Sequence, residues 1–461
     1  MTNKTTLSLA EITAIHNSSL RVLSEIGILI DHPLSCEILF DHGCKLEQGR
    51  VCFPEELVEA CIKQCPARVT LVGRNDQATL GDGSLHIHNL GGARDVYDPS
   101  TRLLRPALAK DVAESTRLMD KLENVTTITP LYTPRDVLPQ QMILVMFAET
   151  VKNTLKPING PGVHNVDDVR KLFEMAQVVF GDKPAISVGV SPVSPLNFLG
   201  HVAPVIVEVA PTLGPLPCPS VGATSPMSLA GSLVQQNAEN LATIVLAQLV
   251  SPGLPIVYCG RLSVLSMRNG SPIWGNPEVG MMSAATVQLG HYYHLPVNVY
   301  GLAGSGYAPD IQSGYERAIN ALVPALAGAD ELSGVGEMAG GTYSCNAQIV
   351  IDNDIYGEIM RICRGFTVDD ESLAVDVIAH AMSTTRNFLG EKHTRKYLRS
   401  GEVWEGKLGV KEIGWEAWKT AGYPTAIERA ESIAIDILNN HEVPPLPQEQ
   451  IYALEEIMRA S

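Results

Sequence analysis

Short apolar segments alternate with amphipathic helical patterns through the middle of the chain. Helical patterns such as VDDVRKLFEMAQVVF and SLVQQNAENLATIVLAQLV follow apolar runs, so strand–helix units recur about every 30–40 residues. The apolar segments begin near Leu85, Val125, Lys156, Ala185, Leu216, Pro255, Pro296 and Asp330. Eight such units predict an α/β fold, a (β/α)8 or TIM barrel over residues 85–365. An open doubly wound sheet is the alternative, but the first helix lacks a Gly-x-Gly-x-x-Gly entry.

The two flanking regions have mainly helical patterns. Residues 1–84 form an N-terminal helical and hairpin region, in which a first helix stops near Gly27 and FPEELVEACIKQC forms a second. Hairpins are predicted between Gly81 and Leu104, with DPST as a turn. Residues 366–461 predict a C-terminal helical extension that wraps the barrel or a neighbouring subunit. The wrapped tail favours a homo-oligomer.

Charge and composition exclude several classes of partner. The 461 residues include Lys+Arg 34 and Asp+Glu 50, and the net charge of −16 disfavours nucleic acid and anionic membranes. The longest apolar run, LATIVLAQLV, is much shorter than the roughly 20 residues of a membrane span. The N-terminal sequence has no signal-peptide pattern, so a cytoplasmic protein with reduced cysteines is expected. The nine cysteines fit no zinc spacing, and no bound metal is predicted.

Acids and bases are scarce at the predicted carboxyl ends of the strands, where barrel enzymes place their chemistry. Glu337 is almost alone there, and neither a Schiff-base lysine nor a carboxylate pair is present. The glycine-rich loops LAGSGYAPD and EMAGGTYS carry no Lys or Arg, which argues against a phosphate site. Aromatic residues are available instead, and an aromatic-walled mouth suits a quaternary ammonium ion. They are Tyr132, Trp274, Tyr300, Tyr307 and Tyr343.

The stretch GADELSGVGEMAGGTYS, residues 328–344, consists mostly of small residues. We interpret it as the end of the last strand, lining a cavity where glycines let a large cofactor or its substrate approach the backbone.

Several motifs together resemble the trimethylamine methyltransferase (MttB-like) superfamily over essentially the whole chain. They are LGGARDVYDPSTRLLRPALAKDV, INGPGVH, ADELSGVGEMAGGTYSCNAQIVIDND and the helical tail. The resemblance implies a TIM barrel that moves a methyl group from an amine to the Co(I) of a separate corrinoid protein. Founding members of the family carry pyrrolysine on the segment that corresponds to residues 328–344. The position falls near Gly340 in this chain, which has only standard residues there. It is therefore similar to the non-pyrrolysine branch, which implies glycine betaine as the substrate, with proline betaine, carnitine or γ-butyrobetaine as alternatives.

The resemblance also implies roles for individual residues. Methyl transfer from a quaternary amine needs no general acid, so positioning supplies most of the catalysis. The expected catalytic residues are Glu337, Gly340 and Tyr343. The candidates for a substrate carboxylate are His88, Arg94, His164 and Arg261, with Asn89 and Asn159 as neutral donors. The candidates for the cation are Tyr97, Tyr132, Tyr300, Tyr307 and Tyr343. A betaine-binding protein without turnover is the second hypothesis, and an unrelated barrel lyase or aldolase the third.

Overall fold

A computed structural model describes residues 7–183, 186–208, 212–409 and 414–460. This part of the chain has a mixed α/β architecture. Its α-helices are α1 Leu9–Arg21, α2 Pro33–Asp41, α3 Glu55–Gln64, α4 Ala109–Lys121, α5 Met142–Lys152, α6 Val166–Phe180, α7 Val202–Val207, α8 Leu229–Val250, α9 Pro277–Tyr292, α10 Ile311–Leu326, α11 Asn346–Arg364, α12 Asp370–Leu373, α13 Val375–Ser383, α14 Lys392–Arg399, α15 Trp415–Thr420, α16 Ala426–Asn440 and α17 Gln448–Arg459.

The strands are short. They are β1 Leu29–Ile30, β2 Lys45–Glu47, β3 Arg50–Cys52, β4 Val69–Val72, β5 Gln77–Leu80, β6 His86–Asn89, β7 Asp95–Asp98, β8 Leu103–Pro106, β9 Ile158–Asn159, β10 Ile186–Val190, β11 Asn197–Phe198, β12 Thr212–Pro215, β13 Ser220–Val221, β14 Tyr258–Gly260, β15 Ser263–Leu265, β16 Pro272–Ile273, β17 Val297–Tyr300, β18 Glu331–Val335, β19 Glu337–Met338 and β20 Tyr343–Ser344.

Parallel pairing dominates between residues 86 and 335. β10 pairs with β9 and β12, β17 with β14 and β18, and β18 with β6, all in parallel. Isolated parallel bridges join His88 to Thr127, Ile128 to Ile158 and Leu213 to Ile256. The predicted class, α/β with parallel strands, is therefore confirmed, while closure into a (β/α)8 barrel stays a prediction.

The fifth strand lies earlier than the sequence pattern predicted. The parallel strand is β12, whereas the predicted segment from Leu216 runs into β13, which pairs with β15 in a separate small sheet. Pro217 and Pro219 have no backbone N–H to donate to a ladder, so the segment between them cannot continue a central strand. The prediction of a strand at Leu216 was wrong. The fourth strand was predicted from Ala185, which lies outside the described residues; β10 begins at Ile186.

Two of the three N-terminal helices, α1 and α3, match the predicted pattern, whereas α2 Pro33–Asp41 was not predicted. α1 continues into a π-helical turn, Val22–Ile26, that ends at Gly27 with φ +74°. A Cβ at Gly27 would lie 2.4 Å from the Val51 carbonyl oxygen, so only glycine fits this stop. The predicted second helix is α3.

Two hairpins follow the N-terminal helices. β7 and β8 form the one with the predicted DPST turn, whereas β6 belongs to the parallel set rather than to a hairpin. The other joins β4 and β5, whose buried Leu71 and Leu80 pack against Val257 and Cys259 of the parallel strand region. This hairpin therefore covers the inner end of the space between the parallel strands.

The C-terminal region is helical, as predicted. α16 packs against α4 and α11, and α17 packs against α5 and α6 of the same chain. Among the described residues, no helix is both long enough and apolar enough to span a membrane.

Candidate active site

A cavity of about 500 Å³ lies among the parallel strands. Along β10, Ser187 and Gly189 line it, while Ile186, Val188 and Val190 are buried on the opposite face. This alternation follows from the two-residue period of a strand. Because the strand places only serine and glycine inward, the centre is not filled by side chains, and a cavity remains.

The two ends of the cavity differ in character. Its inner end is apolar, lined by Leu71 and Leu80 of the β4–β5 hairpin and by Val257. Its rim is exposed and carries Arg94 and His164. A ligand therefore enters past a polar rim toward an apolar floor.

A buried hydrogen-bond network forms one wall of the cavity. The Asn298 side chain donates from Nδ2 to His88 Nε2 at 2.8 Å and to a carboxylate oxygen of Glu331, and its Oδ1 accepts from Arg261. Thr127 donates to the other Glu331 oxygen at 2.7 Å. Burial lowers the pKa of His88, and the nearby Glu331 acts in the opposite direction. The effect of burial is larger, so the ring is neutral. Asn298 thus lies between the guanidinium and the carboxylate.

Arg261 follows β14 and is only 4% exposed. Its Nη1 donates to the carbonyl oxygens of Gly260 at 3.0 Å and of Asn298 at 3.3 Å. Its guanidinium carbon lies 4.7 Å from the centroid of the Tyr300 ring. In the part of the chain that the structure describes, no carboxylate forms a salt bridge with Arg261. This buried cation therefore lines the cavity, and no carboxylate of the described residues lies within salt-bridge distance of it.

Two of the three predicted catalytic residues, Glu337 and Gly340, lie near this wall but are not part of the cavity lining. Tyr300 contacts Trp274 edge-on with ring centroids 4.8 Å apart, and a Cβ at Gly340 would lie 2.6 Å from Trp274 Cδ1. Glu337 is 1% exposed, and neither carboxylate oxygen has a hydrogen-bond partner among the described residues. Burial raises the pKa of Glu337 to about 8, so the group is mainly neutral at pH 7.

Five of the predicted binding residues line the cavity, and the others do not. Those along the cavity are His88, Arg94, Asn159, His164 and Arg261. Asn89 is buried, and its amide bonds the backbone of Thr129 at 2.6 and 2.9 Å, a contact that joins two strands.

The predicted aromatic mouth is not assembled. Tyr97 and Tyr343 stack on each other at 5.9 Å, Tyr132 is fully buried, and Tyr307 is 76% exposed. No Phe, Tyr or Trp is among the cavity-lining side chains of the described chain. The catalytic and cation-binding roles of these residues stay predictions.

The glycines of residues 328–344 serve close packing rather than the cavity wall. A Cβ at Gly334 would lie 2.9 Å from the Leu302 carbonyl carbon, and one at Gly336 would lie 2.7 Å from Ile349 Cγ1. Of this stretch, Glu331 lines the cavity. The interpretation that these glycines admit a large ligand is therefore replaced by one in which they let neighbouring elements approach.

Asn298 and Glu331 were missed by the sequence reasoning. Each is a polar residue within an otherwise apolar strand, in PVNVYG and DELSGVG. A buried polar residue in a strand needs partners, and this signal could have pointed to a shared network.

A small-molecule cavity with a few converging polar groups, set among parallel strands that alternate with helices, is the site architecture of an α/β enzyme. The trimethylamine methyltransferase (MTTB) family matches residues 1–460. The chain belongs to this family and is a methyltransferase. The resemblance inferred from sequence motifs is thus confirmed.

Curated relatives are similar over nearly the whole chain. The trimethylamine methyltransferase MttB of Desulfitobacterium hafniense is 33% identical, covering 97% of this chain and 92% of that protein. The MttB of Methanosarcina barkeri is 30% identical, covering 95% and 91%. A glycine betaine methyltransferase of Desulfitobacterium hafniense is 27% identical, covering 95% and 93%.

Proposed function

We propose that the protein moves a methyl group from a quaternary amine to the corrinoid cobalt carried by a partner protein, with glycine betaine as the first candidate substrate. The observation that carries the proposal is the match of the trimethylamine methyltransferase family to residues 1–460. The glycine betaine methyltransferase relative supports the choice of substrate. The cavity beside β10 is the proposed binding site.

The reaction demands little acid–base chemistry from the chain. When bound, the partner's corrinoid would supply a Co(I) nucleophile. A Co–C bond would form to the methyl group as the C–N bond breaks, and the electron pair of the broken bond would stay on nitrogen, so a neutral tertiary amine would leave without any proton transfer. The chain must hold the ammonium, aim one methyl group at the mouth and exclude water. A cavity wall with few titratable groups, in which His88 is kept neutral, suits these tasks.

The rim offers room for a flat macrocycle. Gly92 and Gly162 lie at the cavity rim, and a Cβ at either position would have no neighbour within 4 Å. Backbone without side chains lets a corrin ring approach the mouth closely. These residues therefore fit a corrinoid that is delivered from outside.

We also propose that the parallel segments close into the (β/α)8 barrel expected from the sequence. Following the pairings from β6 through Thr127, Ile128, β9, β10, β12, β14 and β17 to β18 returns to β6. In such a barrel the carboxyl ends of the strands form the active-site face. An experimental structure in which two of these neighbours do not hydrogen-bond would contradict closure.

A homo-oligomer remains part of the proposal. Large apolar side chains of residues 366–423 are exposed. They include Phe366, Val375, Ile378, Leu389, Leu398 and Trp415. Such side chains are usually covered in an assembly. Light scattering should give a mass above the 49.6 kDa of one chain. A mass of one chain at micromolar concentration would contradict it.

Absorbance spectroscopy tests the reaction. The purified protein is mixed with Co(I) corrinoid protein, and glycine betaine, proline betaine, carnitine or trimethylamine is added in separate cuvettes. Loss of the Co(I) spectrum and appearance of the methylated corrinoid with one quaternary amine would support the proposal. An unchanged Co(I) spectrum with every amine would refute the proposal, provided that a related methyltransferase methylates the same corrinoid protein.

A further inference from the structure

Among the described residues, Arg261 is a buried charge with no carboxylate in salt-bridge contact, and the reaction does not explain this feature. A buried guanidinium normally has an ionic partner, because taking an isolated charge out of water costs several kcal/mol. Here the amide of Asn298 lies between Arg261 and Glu331, accepting from the first and donating to the second. The carboxylate is thereby held away from the guanidinium, and its oxygens are used by Thr127 and Asn298.

The Arg261 guanidinium also has N–H groups that make no hydrogen bond to the described residues. A guanidinium has five N–H groups. Among the described residues, its hydrogen bonds use both hydrogens of Nη1 and one of Nη2. The remaining N–H groups, on Nε and Nη2, form the edge that binds a carboxylate through two parallel bonds. Arg261 lines the cavity, and these remaining N–H groups are therefore the ones that we expect an anion in the cavity to bind.

We propose that Arg261 forms an anion subsite at the buried wall of the cavity and selects substrates that carry an acid group in addition to the methylated nitrogen. This inference rests on the proposed methyl transfer. A corrinoid protein is too large to enter a cavity of about 500 Å³, so the reacting methyl group must face the mouth. The acid group then points inward to Arg261, and the ammonium lies toward the rim. Arg261 sets both the substrate class and its orientation.

The dimensions and lining favour a substrate longer than trimethylamine. A cavity of about 500 Å³ lies within the range of roughly 300–1,000 Å³ found for pockets that hold drug-sized ligands. Its floor is aliphatic, with Leu71, Leu80 and Val257. A methylated amino acid with several carbons between nitrogen and acid would fill more of this space than glycine betaine.

Calorimetry without any corrinoid tests the subsite. Glycine betaine and choline share a trimethylammonium group on two carbons and differ in having an acid or an alcohol. The wild-type protein should bind glycine betaine at least 10-fold more tightly than choline, and γ-butyrobetaine at least as tightly as glycine betaine. Equal affinity for choline, or tighter binding of trimethylamine, would overturn the subsite. Glycine betaine binding 10-fold more tightly than γ-butyrobetaine would overturn the inference about length.

Substitution isolates the residue. Arg261→Gln should weaken glycine betaine binding roughly 10- to 100-fold and leave choline binding within about twofold. Arg261→Lys should give an intermediate loss, because a lysine keeps the charge without the two-bond edge. Arg268→Gln, the matched control on an exposed position of the following segment, should change neither affinity. An equal loss for both ligands in Arg261→Gln would mean a structural role and overturn the proposal. If Arg261→Gln does not fold, the proposal is tested by the affinities of the wild-type protein for glycine betaine and choline, together with those of Arg261→Lys.

The two proposals fail in different ways. An acid preference that depends on Arg261, without methylation of any corrinoid, would keep the anion subsite and remove the methyl transfer. Methylation from trimethylamine alone would keep the methyl transfer and remove the subsite.

Discussion

Two buried arginines, Arg261 and Arg317, stand in opposite circumstances. Arg317 on α10 is 1% exposed and donates to Asp352 at 2.9 Å, to Ser313 Oγ at 2.9 Å and to the Leu302 carbonyl oxygen. Asp352 in turn accepts from the Gly336 N–H at 2.7 Å. Arg261 is almost as buried but has amide, carbonyl and aromatic neighbours instead of a carboxylate. The first arginine joins α10, α11 and β18, and the second is left for a ligand.

The difference teaches how to separate structural from functional burial in this fold. Burial raises the pKa of Asp352 to about 6, and Arg317 acts to lower it, so the pair is ionised at pH 7. Glu337 resembles Arg261, because it is buried with no hydrogen bond to its oxygens from any described residue. Arg317 and Asp352 are paired with each other, whereas Arg261 lines the cavity and Glu337 interacts electrostatically with Arg261.

The largest expected effect concerns the lone carboxyl of Glu337. Its pKa is about 8 in the folded protein against 4.5 in the reference state. A raised folded pKa stabilises the protein below pH 4.5, and this stabilisation is lost as the pH rises through 8. The free energy of unfolding of wild type minus that of Glu337→Gln should fall by about 4–5 kcal/mol between pH 4.5 and 8.5. Urea unfolding at several pH values measures it.

The control for this pH series is Glu25→Gln, whose side chain is 59% exposed on the surface. The free energy of unfolding of Glu25→Gln should change with pH in the same way as that of the wild type across this range. Parallel curves for Glu337→Gln and wild type would show that Glu337 is not a buried lone acid.

The paired arginine should matter more to stability than the unpaired one. Arg317→Gln leaves Asp352 as a buried charge without its partner and should lower the free energy of unfolding by about 3–5 kcal/mol. Arg261→Gln removes a buried charge that has no ionic partner and should lower it by at most about 1.5 kcal/mol. Chemical denaturation at pH 7.5 compares them. Equal losses would break the distinction between the two arginines.

The support behind Arg261 can be tested at Gly340. Gly340 has φ +65° and Gly365 has φ +62°, so alanine meets similar backbone strain at both positions. A Cβ added at Gly340 would press on Trp274, whereas a Cβ added at Gly365 would have no neighbour within 4 Å. Gly340→Ala should therefore be less stable than Gly365→Ala by about 1–3 kcal/mol. Thermal unfolding of both variants measures the difference, and indistinguishable variants would exclude pressure on Trp274.

The smallest effect is expected at Tyr300, whose ring lies under the Arg261 guanidinium. Tyr300→Leu removes the ring and a cation–π contact of about 0.5–2 kcal/mol, so glycine betaine affinity should fall about 2- to 30-fold. Tyr300→Phe keeps the ring and should stay within about twofold. A similar loss in both variants would assign the effect to the hydroxyl and separate Tyr300 from the orientation of Arg261.

The fold could be predicted further than the site. The strand–helix rhythm located seven of the eight parallel segments, since buried strands and amphipathic helices leave periodic patterns. It failed at Leu216, where local proline chemistry overrides hydrophobicity. Arg261 could be predicted because it directly follows the apolar PIVYCG.

Contacts between distant residues were beyond the sequence. Nothing local shows that Tyr97 stacks on Tyr343, or that Gly340 lies against Trp274. A count of tyrosines near strand ends therefore suggested a cation-binding mouth that their mutual packing does not form. Partner choice in a buried network depends on side-chain positions that a single sequence does not encode locally.

The β4–β5 hairpin bears on the kinetics of the enzyme. Because Leu71 and Leu80 cover the inner end of the cavity, the proposed amine and the proposed corrinoid protein would use the same entrance. Under the proposed methyl transfer, an amine that arrives after the corrinoid protein would find this entrance blocked, and the demethylated product would leave only after the partner dissociates. Steady-state rates should therefore follow a compulsory order, amine first and amine product last, and excess corrinoid protein should inhibit turnover.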